Sequence, residues 1–169
     1  MKKLITFLLI TLTLTLNYSF SQETENSKAD IVPFNVFLFD TTEVYSNIRL
    51  NPNGEIMLKL DYNTDYFILK IIDYKDGWFK INDIVSVEFG YNISNFEGWI
   101  HHSIVAVTTR KDLVLKKKPN SKKTVGTIDL ETTVKIIDVL GNWVKIEYKE
   151  NIGWVESKWL CGNPVTTCP

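Results

Sequence analysis

Two histidines and two cysteines in 169 residues leave this chain little with which to do metal or nucleophile chemistry. The histidines are neighbours, His101 and His102, and adjacent residues of a strand point to opposite faces. They can neither ligate one ion together nor form a base and its orienting partner. Cys161 and Cys168 have no histidine nearby and fall short of the four ligands of a structural zinc site. Helical periodicity is also missing: apolar residues come in short β-branched and aromatic runs broken by Asn, Asp, Gly and Pro. Acidic residues are many but scattered. No catalytic constellation, cofactor site or metal site is expected, and the chain reads as a non-enzyme.

The one long apolar run is N-terminal. Met1-Lys2-Lys3 supplies a positive start, Leu4 to Leu16 an apolar stretch, and Ser19-Phe20-Ser21 small residues at signal-peptidase spacing, which predicts a signal peptide over 1–21 cut before Gln22. A membrane anchor, the alternative, needs roughly 20 apolar residues. This run is shorter and is diluted by Thr6, Thr11, Thr13 and Thr15. A secreted or periplasmic protein without stable membrane insertion is expected. Residues 22–32 are polar and read as a flexible leader.

Neither sign of charge dominates the whole, with 19 Lys+Arg against 20 Asp+Glu, but the charge is unevenly placed. Residues 22–109 carry 6 basic and 13 acidic side chains, and residues 110–169 carry 11 and 7. Such a split lets the two parts attract each other, or lets the basic one face an anionic partner. Seven cations, Arg110, Lys111, Lys116, Lys117, Lys118, Lys122 and Lys123, fall within fourteen residues against one acid, Asp112. Net negative charge and export argue against nucleic acid as the partner. The two cysteines flank Gly-Asn-Pro turn chemistry, which predicts a disulfide closing a small C-terminal loop over 161–169, with metal binding as the rival reading.

The chain also says one thing twice. Lys70-Ile71-Ile72-Asp73, Trp78-Phe79-Lys80-Ile81 and Gly98-Trp99-Ile100 return as Lys135-Ile136-Ile137-Asp138, Trp143-Val144-Lys145-Ile146 and Gly153-Trp154-Val155. Two copies of one small unit are implied. The two tryptophans of a copy are 21 residues apart in the first and 11 in the second, so the first carries a ten-residue insertion, read as a hairpin over 82–96. Strands are expected at 34–39, 56–60, 66–74, 78–81 and 97–100, with a hairpin near 84–91, then at 113–116, 124–127, 133–139, 143–148 and 152–155. Four or five short strands in about fifty residues can bury a core only by curling into a small barrel. The class is all-β.

Leu115-Lys116-Lys117-Lys118-Pro119, Val125-Gly126, Asn142-Trp143-Val144-Lys145-Ile146, Gly153-Trp154-Val155 and Trp159-Leu160 together resemble the bacterial SH3-like (SH3b) domain. The first copy carries the resemblance through Arg49-Leu50-Asn51-Pro52, Gly77-Trp78-Phe79-Lys80-Ile81 and Gly98-Trp99-Ile100. It implies two SH3-like barrels in tandem, at 33–108 and 109–160. In each, the glycine before the last tryptophan is expected to let the backbone turn while the indole packs inward, with Trp78, Trp99, Trp143 and Trp154 as core.

A groove beside the loops is implied as well. Its rim would be Lys116, Lys117, Lys118, Lys122 and Lys123, and its flat contacts Tyr45, Tyr62, Tyr66 and Phe79 in the first unit and Trp143, Tyr148 and Trp159 in the second. The expected function is a secreted, non-catalytic binding module for cell-wall peptide (peptidoglycan) or another envelope ligand. The alternative is a protein–protein interaction or structural module of the envelope that presents the 82–96 hairpin, and an accessory to an envelope hydrolase stands behind both.

Overall fold

The computed structural model describes residues 30–166 and 168. The expected signal peptide and residues 22–29 of the leader lie outside them. The end of the leader is docked: Ile31 packs on the core and the Val32 N–H donates to the Gly141 carbonyl at 3.1 Å.

The described chain is all-β. Its strands are β1 (Phe34–Leu38), β2 (Tyr45–Arg49), β3 (Ile56–Asp61), β4 (Phe67–Lys75), β5 (Trp78–Ser86), β6 (Asn92–His101) and β7 (Val105–Thr109). They continue as β8 (Leu113–Lys116), β9 (Thr124–Ile128), β10 (Thr133–Leu140), β11 (Trp143–Tyr148), β12 (Asn151–Glu156) and β13 (Leu160–Cys161), with single 3₁₀ turns at His102–Ile104 and Ser157–Trp159. No helix among the described residues is long and apolar enough to cross a membrane. β2, β7 and β13 are absent from the strands expected from sequence.

One continuous sheet runs β3-β2-β6-β5-β4-β1-β7-β10-β11-β12-β8-β9, with β13 added on β7. The connectivity that follows β1 repeats after β7: each leads through a hairpin (β2–β3, β8–β9) into a three-stranded meander (β4–β5–β6, β10–β11–β12), then a 3₁₀ turn and a closing strand. β7 occupies both roles. Along one edge it takes β1 through Phe37↔Ala106 and Leu38↔Val105 and then β13 through Cys161↔Thr108 and Leu160↔Thr109. Along the other it pairs with β10 from Thr133↔Thr108 to Lys135↔Ala106. A boundary between residues 108 and 109 therefore falls inside one strand. Val105, Ala106 and Val107 are all buried, which a strand covered on both faces requires in place of apolar–polar alternation.

The core follows strand alternation. Phe79 and Ile81 on β5 face inward with Ile48, Leu69, Ile71, Ile84 and Ile100, and Val144 and Ile146 on β11 do the same with Leu115, Ile136 and Val155. The insertion lengthens the β5–β6 hairpin through Asp83↔Ser94, Ile84↔Ile93 and Val85↔Asn92. At the β4–β5 turn Asp76 and Gly77 both have positive φ, 48° and 85°, as a tight two-residue hairpin turn demands.

The Gly-Trp steps work differently from the expectation. Gly98 and Gly153 lie inside strands, and it is the glycine that faces the core. A Cβ on Gly98 would sit 2.5 Å from Ile48 Cγ2, and one on Gly153 would sit 2.8 Å from both Leu115 Cβ and Val125 Cγ2. The glycines let β6 and β12 approach β2 and β8, where Trp99 pairs with Arg49 and Trp154 with Lys116. Alternation then sends the indoles to the outer face. Trp78 and Trp154 are nonetheless buried at 9% exposure, as expected of core residues, whereas Trp99 and Trp143 are half-buried, and none of the four joins the main apolar cluster.

Candidate functional site

Two indoles, Trp143 and Trp159, share a concavity of the second half. Trp143 begins β11 and pairs with Glu156 at the end of β12, and the 3₁₀ turn that follows delivers Trp159 beside it. Together with Val114 they line a groove of about 240 Å³ that also takes in Lys111, Asp112, Lys116 and Glu156. The Lys111 ammonium stands 3.3 Å from the centroid of the Trp159 ring and that of Lys158 5.1 Å away. Lys158 is also ion-paired to Glu156 at 2.5 Å. An ammonium over an indole face is held by the ring's quadrupole, at about 0.5–1 kcal/mol in an exposed setting. The groove thus offers flat apolar surface within reach of three lysines, one of which already has a carboxylate partner.

The structure brings only part of the expected set together. Lys116, Trp143 and Trp159 share the groove. Lys117, Lys118, Lys122 and Lys123 are exposed on the β8–β9 loop, whose ends are tied by the Lys117 N–H to the Lys123 carbonyl at 2.9 Å. Tyr148 lies at the far end of β11, opposite Asn151, with the Lys149 ammonium 4.9 Å over its ring. Tyr66 belongs to a different concavity, of about 290 Å³, shared with Tyr62, Asp65 and Glu88. Tyr45 is exposed on β2. Phe79 has no exposed surface and contacts the Tyr74 ring at 5.2 Å, so it is a core residue and not a ligand contact. Lys111 and Glu156 were missing from the expected groove. Lys111 is signalled only by membership of the seven-cation run, and Glu156 only by its place two residues after Trp154.

The equivalent place in the first half is filled. Trp78 pairs with His101, whose ring packs edge-on at 5.1 Å and closes over the indole where the second half has Glu156 and an open groove. The 2.8 Å contact of His101 Nδ1 with Ser103 Oγ, and the Ser103 N–H aimed at the same nitrogen, leave Nδ1 as an acceptor. Burial first, and then the neighbouring His102, hold this imidazole below the usual histidine range. His102 begins the 3₁₀ turn, so the pair does not split to opposite faces as expected of a strand: the two rings lie 4.6 Å apart, while the His102 Nδ1–H donates to the Ile136 carbonyl of β10 at 3.0 Å and the Tyr74 hydroxyl to the next carbonyl, Ile137, at 3.2 Å. His102 and Tyr74 thus join the two halves. Among the described residues no group of three or more His, Cys, Asp or Glu side chains is placed to hold a metal ion.

The C-terminal loop is closed by a Cys161–Cys168 disulfide with Cα atoms 5.5 Å apart. The chain enters it through a crossing. β13 and β1 lie end to end on the same edge of β7, and Gly162 passes directly over the backbone of Asn35 and Val36.

No curated protein matches the chain. Among solved structures it is similar to NlpC1 from Trichomonas vaginalis, at 14% identity and a TM-score of 0.31 over 77% of this chain and 46% of that one. The corresponding figures for NlpC2 from the same organism are 15%, 0.31, 76% and 48%, so the chain spans less than half of either protein. Residues 111–160, which contain the whole groove, match the family model of the bacterial SH3 domain.

Proposed function

We propose that this chain is a non-catalytic binding module of the cell envelope and that its second half takes a carboxylate-bearing peptide into the Trp143–Trp159 groove. The carrying observation is the pairing of two half-buried indoles with Lys111 and Lys116 in one concavity inside the segment that matches a bacterial SH3 domain. Aromatic floors supply contact area at low entropic cost, and lysines on the wall favour anions. The bacterial SH3 match favours cell-wall peptide as the ligand, and the disulfide agrees with a site outside the cytoplasm. Two tandem SH3-like units, exported after signal cleavage, form the architecture of this reading, and the repeated connectivity around β7 supports it.

Sedimentation of the mature protein with purified sacculi at low and high salt tests the proposal. Binding should weaken as salt rises. Trp159→Ala should lower affinity by about tenfold or more, as loss of an aromatic anchor does. Replacing Lys117 and Lys118 by Gln should leave the melting temperature unchanged and weaken binding only at low salt. Equal sedimentation of the parent and Trp159→Ala would remove the groove from consideration.

A second reading has its own observation. Phe89 and Tyr91, 65% and 45% exposed, sit at the tip of the lengthened β5–β6 hairpin next to Tyr66. A salt-insensitive complex with a single envelope protein, lost in Phe89→Ser, would favour protein recognition by the first half.

A further inference from the structure

We infer that the chain carries a second, separate ligand site, for an amino-acid-sized zwitterion, where the disulfide-closed tail covers β7 and the start of β10. The tail roofs a cavity of about 310 Å³ whose polar walls are Thr108, Thr109, Arg110, Glu131, Thr133 and Thr166. A second cavity, of about 350 Å³, adjoins it and shares Arg110, Asn163, Thr166 and Cys168. Neither has a lining residue in common with the Trp143–Trp159 groove. Volumes of this size lie at the lower end of ligand pockets, roughly 300–1,000 Å³, and suit one amino acid or the end of a peptide better than a polymer.

Arg110 is the anchor. It is half-buried and lines both cavities, yet among the described residues neither ion pair involves it. One guanidinium nitrogen, Nη1, donates to the Lys158 carbonyl at 3.2 Å. The guanidinium cannot shed its charge and presents five donors in a planar fork suited to a carboxylate. Glu131, an exposed lining residue of the first cavity, supplies the opposite sign. Its φ of 56° is uncommon for a side chain of its kind, and its N–H is held by the Thr109 carbonyl at 2.9 Å. It too is in neither ion pair.

A cation and an anion that do not pair with each other, in one polar cavity, match the two ends of a zwitterion. The roof is preorganised: Asn163 Oδ1 accepts from the N–H groups of Val165 and Thr166 at 3.0 and 3.3 Å, and the disulfide fixes both ends of the loop.

Titration calorimetry of the intact, oxidised protein with alanine, N-acetylalanine and alaninamide tests the inference. Alanine should saturate one site, and each blocked analogue should bind about tenfold or more weakly because one charge-assisted contact is gone. Arg110→Gln should lose alanine binding with little change in melting. Glu131→Gln should weaken alanine but leave N-acetylalanine unchanged, and it gives an answer even if Arg110→Gln folds poorly. Reduction of the disulfide should abolish binding, and Trp159→Ala should leave it intact. Alaninamide binding as tightly as alanine, an Arg110→Gln or Glu131→Gln protein that binds alanine like the parent, or no saturation by alanine would overturn it.

Discussion

Phe79→Ala should destabilise the protein by about 3–5 kcal/mol. The ring has no solvent exposure, belongs to the main apolar cluster and packs on Tyr74 at 5.2 Å. Truncation removes its transfer free energy and leaves a void that β-sheet neighbours on both sides, fixed by ladder hydrogen bonds, can fill only in part. Chemical denaturation followed by tryptophan fluorescence measures the loss, and a chain of this size should melt at least 6 °C lower. A groove residue behaves in the opposite way, keeping stability and losing ligand. An unchanged midpoint with weakened ligand binding would return Phe79 to the surface role that the resemblance had implied.

Gly162→Ala should cost about 3 kcal/mol, the upper end of what overpacking does. At a site with free space the same change stabilises a protein by about 0.4–1 kcal/mol through the unfolded chain, so the sign alone decides. At Gly162 a Cβ would lie 2.2 Å from the Asn35 carbonyl carbon, 2.3 Å from its oxygen and 2.5 Å from the Val36 nitrogen. All three are backbone atoms of a paired strand, and no side-chain rotation relieves the overlap. Either β1 moves off β7 or the tail lifts, and lifting the tail opens the cavity beneath it. The expected result is a lower denaturation midpoint with the disulfide still formed. A higher midpoint would show that the crossing is looser than the backbone distances require.

The all-β class and the repeated Gly-Trp signals were legible because they rest on local chemistry: alternation, turn residues and a motif that arrives twice. The lengthened hairpin was legible from the spacing of Trp78 and Trp99 against Trp143 and Trp154. β7 was not, because Val-Ala-Val-Thr-Thr has no alternation, and a strand buried on both faces looks in sequence like a short apolar connector. Of the four indoles expected in the core, Trp78 and Trp154 are buried and Trp99 and Trp143 half-buried; the inward residue of the Gly98-Trp99 and Gly153-Trp154 pairs is the one without a side chain. Of the groove, Lys116, Trp143 and Trp159 were legible by resemblance. Lys111 and Glu156 come to it by tertiary placement that no spacing encodes, Glu156 opposite Trp143 across the β11–β12 pairing and Lys111 from the β7–β8 link against the Trp159 ring.

The shared strand also sets how the molecule comes apart. Val105 to Thr109 hold one set of backbone donors and acceptors, and β1, β10 and β13 all draw on it. If the first half opens, the second loses the partner that its first long strand and its last strand both need, and the reverse holds equally. Heat or denaturant should therefore carry both halves through a single cooperative transition, with calorimetric and van't Hoff enthalpies in agreement.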